Sequence, residues 1–271
     1  MKTRIIVAAI GLPLLLAIVL LLPSVATALL VAAMSIIAVY ELLIRTGLLR
    51  HVRIFAYSSL MALAISLWSW MGQPRAMGAA CVIVYLCVLF CEMLAAHAEL
   101  KFRSVCAAIF AGVVIPYLLG ALIRLRTMEN GSYYILVAFL LTMVPDSGAY
   151  FAGRFFGKRK LCPVISPHKT VEGAIGGAVV TVVFMAIYAL ILQLAFQFKV
   201  NYFYTILYAI IGAGGSILGD LTFSVIKRQV GIKDYGNLLP GHGGILDRFD
   251  STMVVAPLVE VLLLLIPFAV K

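Results

Sequence analysis

Between Ser224 and Asp250 the chain reads SVIKRQVGIKDYGNLLPGHGGILDRFD, its longest polar stretch. Lys227, Arg228, Lys233 and Arg248 stand there among Asp234, Asp247 and Asp250, and His242 sits inside the turn Gly241-His242-Gly243-Gly244. Ammonium and guanidinium groups make charge-assisted hydrogen bonds to phosphate. Carboxylates suit a hard divalent ion, and magnesium characteristically takes one or two of them and fills its other positions with water and substrate phosphate. Glycines beside a helix start let backbone amides approach an anion. The combination points to phosphoryl chemistry at a membrane surface.

Just upstream, Asp220, Ser224 and Lys227 fall on one face of a helix at 100° per residue. That stripe reads either as an intramembrane pair of Asp220 with Lys227 or, with Asp247 and Asp250 returning after a short loop, as part of a metal site. Asp250 also reads as a helix N-cap before Ser251-Thr252, and the glycine turn as plain loop punctuation. His242 has no second His or Cys at ligand spacing.

A second cationic segment spans 153–177, GRFFGKRKLCPVISPHKTVEGAIGG. Its Gly153-x3-Gly157-Lys158 has neither the spacing nor the following hydroxyl of a Walker A loop. Its lysines and arginines suit anionic lipid heads. Ser166, Lys169 and Thr170, ahead of Glu172-Gly173, suit a phosphate chain at a helix start behind Pro167. Gly173-x3-Gly177 and Gly215-x3-Gly219 read as helix-packing faces. Pro145-Asp146 joins a helix breaker to a charge; the proline frees the carbonyl of Leu141, which is tolerated at membrane depth beside a wet cavity. Asp146 is a site candidate or a structural partner of Arg154.

The elements that carry these residues are apolar. Of the 271 residues 64% are hydrophobic and 12% charged, and mean hydropathy is +1.12, against roughly 45–50% apolar and a quarter charged in soluble domains. Long unalternating runs select helices rather than a barrel. The expectation is an all-α polytopic membrane protein, one membrane domain over 1–271, with N-terminal spans in 1–130 and the chemistry in 131–271. Nine spans fit, at 5–22, 24–44, 54–72, 76–97, 105–123, 132–153, 173–196, 202–224 and 251–270. The first is read as a retained span rather than a cleaved signal peptide, being longer than such a core.

With the N-terminus inside and the C-terminus outside, all but five of the 21 basic residues fall in cytosolic segments, the exceptions being Arg75, Arg124, Arg126, Lys199 and Lys271. Both polar loops, 154–172 and 225–250, then face the cytosol. Glu41, Glu92, Asp146 and Asp220, from four spans, fall near one level toward that face, and acids in spans usually face a polar cavity or a partner. Glu260 lies deeper. The net charge of +10 reads as topology and lipid contact rather than nucleic-acid binding. Cys81, Cys87, Cys91, Cys106 and Cys162 form no CxxC pair and suggest neither disulfides nor zinc.

The stretch 224–250 resembles the signature of the CDP-diacylglycerol synthase (phosphatidate cytidylyltransferase) family. Ser224, Lys227, Arg228, Lys233, Asp234, Gly236, Pro240, His242, Gly243, Gly244, Asp247, Arg248 and Asp250 fill its defining positions. Asp146-Ser147-Gly148-Ala149-Tyr150-Phe151 with Gly153-Arg154, and Ser166-Pro167-x-Lys169-Thr170-x-Glu172-Gly173, are similar to its other blocks. One departure is His168, where the resemblance leads one to expect a second lysine. The first five spans resemble the family only in hydropathy.

The resemblance implies an enzyme joining CTP and phosphatidate into CDP-diacylglycerol with release of pyrophosphate. It further implies nine spans, a homodimer, and Mg²⁺ on the residues matching Asp220 and Asp247, with K⁺ as a possible companion. Lys227, Arg228, Lys233 and Arg248 are expected to bring the two polyanions together. Ser166, Lys169 and Thr170 are expected to steady the triphosphate, while Ser224, His242, Gly243 and Gly244 line the substrate site. Asp146 and Asp250 are expected to assist the metal or orient the cations. The expected setting is the cell membrane, with the site open to the cytosol. Two rivals are a CTP-dependent polyprenol or phytol kinase, which would release CDP, and a transporter, which would show paired broken helices in two repeat halves; no such symmetry is visible.

Overall fold

The computed structural model describes residues 2–49, 51–72, 74–238, 241 and 243–271. Pro240 and His242 of the signature lie outside the described residues, as does Arg50. Helices dominate, and in chain order they are α1 (Lys2–Leu21), α2 (Ser24–Tyr40), α3 (Val52–Met71), α4 (Arg75–Ala95), α5 (Phe102–Ile109), α6 (Ile115–Thr127), α7 (Gly131–Phe156), α8 (Val171–Phe196), α9 (Tyr202–Gln229) and α10 (Leu246–Leu265). Two wide π turns, Glu41–Arg45 and Phe110–Val114, extend α2 and join α5 to α6. The remaining regular structure is two small antiparallel pairs: β1 (Lys160–Cys162) with β2 (Ser166–Thr170), and β3 (Lys199–Val200) with β4 (Ala269–Val270).

Among the described residues, seven helical segments are long and apolar enough to cross a membrane: Ser24–Arg45, Val52–Met71, Arg75–Ala95, Phe102–Thr127, Gly131–Phe156, Val171–Phe196 and Tyr202–Gln229. The protein is an all-α integral membrane protein. The segment expected at 251–270 is shifted: α10 starts at Leu246, so Asp247, Arg248 and Asp250 lie inside the helix, and it ends at Leu265 before β4. Those charges, with Glu260, keep α10 out of the strictly apolar set. Similarly α9 runs past residue 224 to Gln229, because Lys227 and Arg228 close its last turn, where cations complement the helix dipole.

The chain divides into two compact units, residues 1–127 with 229–249, and residues 128–228 with 250–271. In the first, α2, α3 and α6 pack together. Hydroxyl–carbonyl bonds tie the neighbouring helices, as where Tyr85 donates to the Ala108 carbonyl (2.9 Å) and shares a hydrogen with Ser58 (2.7 Å). In lipid such bonds and close packing, not hydrophobic burial, hold helices together.

In the second unit α7 lies against α8 through small residues. A Cβ on Gly177 would stand 2.6 Å from the Pro145 carbonyl oxygen, and one on Gly148 would stand 3.1 Å from the Gly177 Cα. Gly215 and Gly219 give α10 the same close approach to α9. Both expected packing faces are therefore present. Large apolar side chains such as Leu194, Phe203, Leu264 and Leu265 stay exposed, which suits lipid contact.

Candidate functional site

In the second unit, Asp146, Ala149, Tyr150, Leu161, His168, Lys169, Thr170, Gly173, Ala174, Ile217 and Asp220 line a cavity of about 230 Å³. Five elements supply it, Leu161 coming from β1. Asp146 comes from α7, one residue after Pro145, and Asp220 comes from α9. His168, Lys169 and Thr170 come from β2, and Gly173 opens α8. The segment 160–170 is a hairpin rather than a helix start behind Pro167; β1 and β2 pair Lys160 with Thr170 and Cys162 with Ser166. The helix begins at Val171 instead, capped by Thr170, whose Oγ1 accepts from the Gly173 amide (3.1 Å). Glu172, in the first turn, accepts from the amides of Lys158 (3.0 Å) and Arg159 (3.1 Å) and so closes the loop that precedes the hairpin.

Within that cavity Lys169 is ion-paired with Asp220 through Oδ2, each side chain about a quarter exposed. The other oxygen of Asp220, Oδ1, accepts from Ser224 Oγ (3.3 Å). The helical stripe is thus real at Asp220 and Ser224. Asp250 is 8% exposed and its Oδ1 accepts from the Ser251 amide (2.7 Å). It lies within electrostatic reach of Asp220, Asp146 and Lys227. Being in the second turn of α10, it is not the N-cap of that helix.

Asp146 and Asp220 line the cavity and both act on Asp250, which makes a hard-oxygen donor set, and the cavity exceeds the roughly 30 Å³ a water occupies. The donors fit Mg²⁺, although among the described residues no three His, Cys, Asp or Glu groups form a ready ligand cluster. Ser166, at the far end of β2, is not among the cavity-lining residues.

Ser224, Lys227 and Arg228 of the signature belong to the second unit, and its stretch within 229–249 to the first. Asp247, 8% exposed, accepts through Oδ2 from the amides of Tyr235 (2.8 Å) and Gly244 (2.9 Å), which folds the loop back onto the first turn of α10. Gly243 has φ +90, and a Cβ there would come within 2.8 Å of Asp247 Oδ2; both the backbone angle and the space require glycine. Lys233 and Arg248 are exposed. Arg228, in the last turn of α9, is also exposed, and Lys227 is half-buried.

Sequence reasoning marks Glu41 as an acid in a span without a role for it. Glu41 accepts from the amides of Ile245 (3.0 Å) and Leu246 (2.9 Å), inside the signature loop itself. Glu92 takes a different partner, the Tyr57 hydroxyl (3.3 Å).

The model of the cytidylyltransferase family matches residues 2–266. A Staphylococcus saprophyticus protein named phosphatidate cytidylyltransferase is 44% identical over 158 residues, 58% of this chain and 59% of that protein. A Bacillus subtilis protein of the same name is 45% identical over 160 residues, 59% of this chain and 56% of that one. One from Staphylococcus aureus is 43% identical over 159 residues, covering 58% and 59%. The chain therefore matches less than two thirds of the length of each of these relatives.

Proposed function

The chain belongs to the cytidylyltransferase family, and from that premise we propose that it transfers the cytidylyl group of CTP to phosphatidate, giving CDP-diacylglycerol and pyrophosphate. One observation carries the reading: a single cavity is lined by Asp146, Lys169, Thr170 and Asp220, which α7, β2 and α9 supply. Cationic and acidic groups meeting in one cavity suit a reaction between two phosphorylated partners.

In this reading a phosphate oxygen of phosphatidate attacks the α-phosphorus of CTP. The bond from that phosphorus to the β-bridging oxygen breaks, and pyrophosphate leaves with the electron pair. No covalent protein intermediate is needed, since phosphoryl-type transfer rests on positioning and electrostatics. Lys169, Lys227, Arg228, Lys233 and Arg248 offset the repulsion between the two polyanions. Thr170, by capping α8, aims the amides of its first turn.

Mg²⁺, when bound, would neutralise charge developing on the leaving pyrophosphate. The resemblance assigns it to Asp220 and Asp247, and the donor chemistry adds Asp146 and Asp250; K⁺ is a companion ion in the same reading. Phosphatidate enters from the lipid with its acyl chains among the helices. The positive-inside pattern supports a cytosolic site, nine spans and an N-in, C-out arrangement in the cell membrane. A homodimer completes the reading, and nucleic acid has no part in it.

Purified protein given labelled CTP, phosphatidate and Mg²⁺ should yield a lipid-soluble cytidine product and pyrophosphate. Release of CDP with a phosphorylated lipid alcohol would assign it instead to the CTP-dependent lipid kinases.

A further inference from the structure

Glu41 is 2% exposed although it carries a carboxylate inside an apolar helix. Burying an ionisable group is costly unless its oxygens find donors. Both do. Oε1 accepts from Ile245 and Oε2 from Leu246, the amides at the start of α10, across 204 and 205 residues of chain. The first amides of a helix lack intrahelical acceptors and carry the positive end of its dipole, so Glu41 caps α10 from another helix.

The rest of the contact is shaped around that carboxylate. A Cβ on Gly236 or on Gly244 would collide with the Glu41 carboxylate, so the loop backbone lies directly against it. Arg45, at the other end of the same π turn, donates to Asn237 Oδ1 (2.9 Å). One turn of α2 therefore holds the loop at residues 237, 245 and 246, while Asp247 holds it at residues 235 and 244. Single π turns inside helices recur at functional sites, and here the wide turn carries both gripping side chains.

We infer that Glu41 is a positioning residue for the transfer reaction: by capping the first turn of α10 it fixes the chain at residues 244–246 and the direction in which Asp247 is presented. The positioning role rests on the proposed transfer of a cytidylyl group with Asp247 at the site.

The test uses the full chain in lipid nanodiscs, as wild type, Glu41→Gln and Glu41→Ala. Hydrogen exchange of peptides covering 235–249 reports the anchor without any need for activity. Glutamine keeps one acceptor and turns a donor toward the second amide, so exchange at residues 244–247 should quicken about tenfold in Glu41→Gln, and further in Glu41→Ala. Exchange in α3 and α7 should stay at the wild-type level. In the labelled-CTP assay kcat should fall tenfold or more, in the same order, with KM for phosphatidate within twofold of wild type. Unchanged loop exchange in Glu41→Ala would overturn the anchor. Faster loop exchange with an unchanged kcat would overturn the positioning role, as would faster exchange throughout the helices. Wild-type protein without transfer activity would remove the functional reading, and the exchange measurement separates that failure from failure of the anchor.

Discussion

Lys169 of β2 is ion-paired with Asp220 of α9, and the second oxygen of that same carboxylate accepts from Ser224. The residue expected to steady a triphosphate and the residue expected to hold a metal are thus partners of each other. An arriving anion competes with Asp220 for the lysine, and an arriving cation competes with Lys169 for the carboxylate. In the proposed reaction, binding of the two should therefore be coupled by this exchange of partners.

That coupling gives a double-mutant test. Lys169→Met should raise KM for CTP about tenfold, and Asp220→Asn should lower kcat at least a hundredfold. Residues in direct contact deviate from additivity by about 0.5–3 kcal/mol, so the double variant should lose less than the two losses combined. Additive losses in kcat/KM would show that the pair does not act as a unit.

Much of this was legible in the sequence for a physical reason. A helix satisfies its backbone bonds within itself, so apolar runs such as 202–224 appear as helices whatever surrounds them. Their polar ends are harder: α10 begins before 251 because Glu41 takes the amides of Ile245 and Leu246 at its start, and no apolar pattern marks that. Strands of three and five residues depend on each other rather than on periodicity, so the 160–170 hairpin left no signature. Thr170 looked like a phosphate ligand and proves to be a helix cap as well. The Glu41 carboxylate was visible as a misplaced charge, but its partners lie 204 and 205 residues away, beyond the reach of local spacing.

His168 lines the cavity beside Lys169, at the position where the family resemblance implies a second lysine. A fixed ammonium near a phosphate is worth about 1 kcal/mol, which is about a fivefold change. His168→Lys should therefore lower KM for CTP severalfold at pH 7.5 with little change in kcat. An unchanged KM across nucleotide titrations would mean that residue 168 does not meet the triphosphate.

Gly219 tests the packing beneath the acids. A Cβ at this position would lie 2.7 Å from the Asp250 carbonyl oxygen and 2.8 Å from the Ser251 Cα, both backbone atoms. Backbone gives way less readily than a side chain, and overpacking costs about 1–3 kcal/mol. Gly219→Ala should lower the thermal midpoint in detergent by several degrees and reduce kcat, because α10 carries Asp250. Gly214, whose Cβ would meet nothing within 4 Å, provides the control: Gly214→Ala should leave the midpoint unchanged.

Chelation tests the acids directly. Asp146, Asp220 and Asp250 share one electrostatic environment, and three like charges close together are stabilised by a bound cation. EDTA should abolish transfer, and added Mg²⁺ should restore it. Ca²⁺ prefers longer bonds and more ligands and should restore far less. Asp146→Asn and Asp250→Asn each remove one charge, so both should raise the Mg²⁺ concentration for half-maximal rate. Asp247→Asn should insert normally yet lose at least a hundredfold in rate. Tyr235 and Gly244 both donate to the single oxygen Oδ2, a place the carboxamide oxygen can take, so the loop should exchange near the wild-type rate. A wild-type rate in Asp247→Asn would remove that residue from the metal, whereas a lost rate that excess Mg²⁺ partly restores would assign it there.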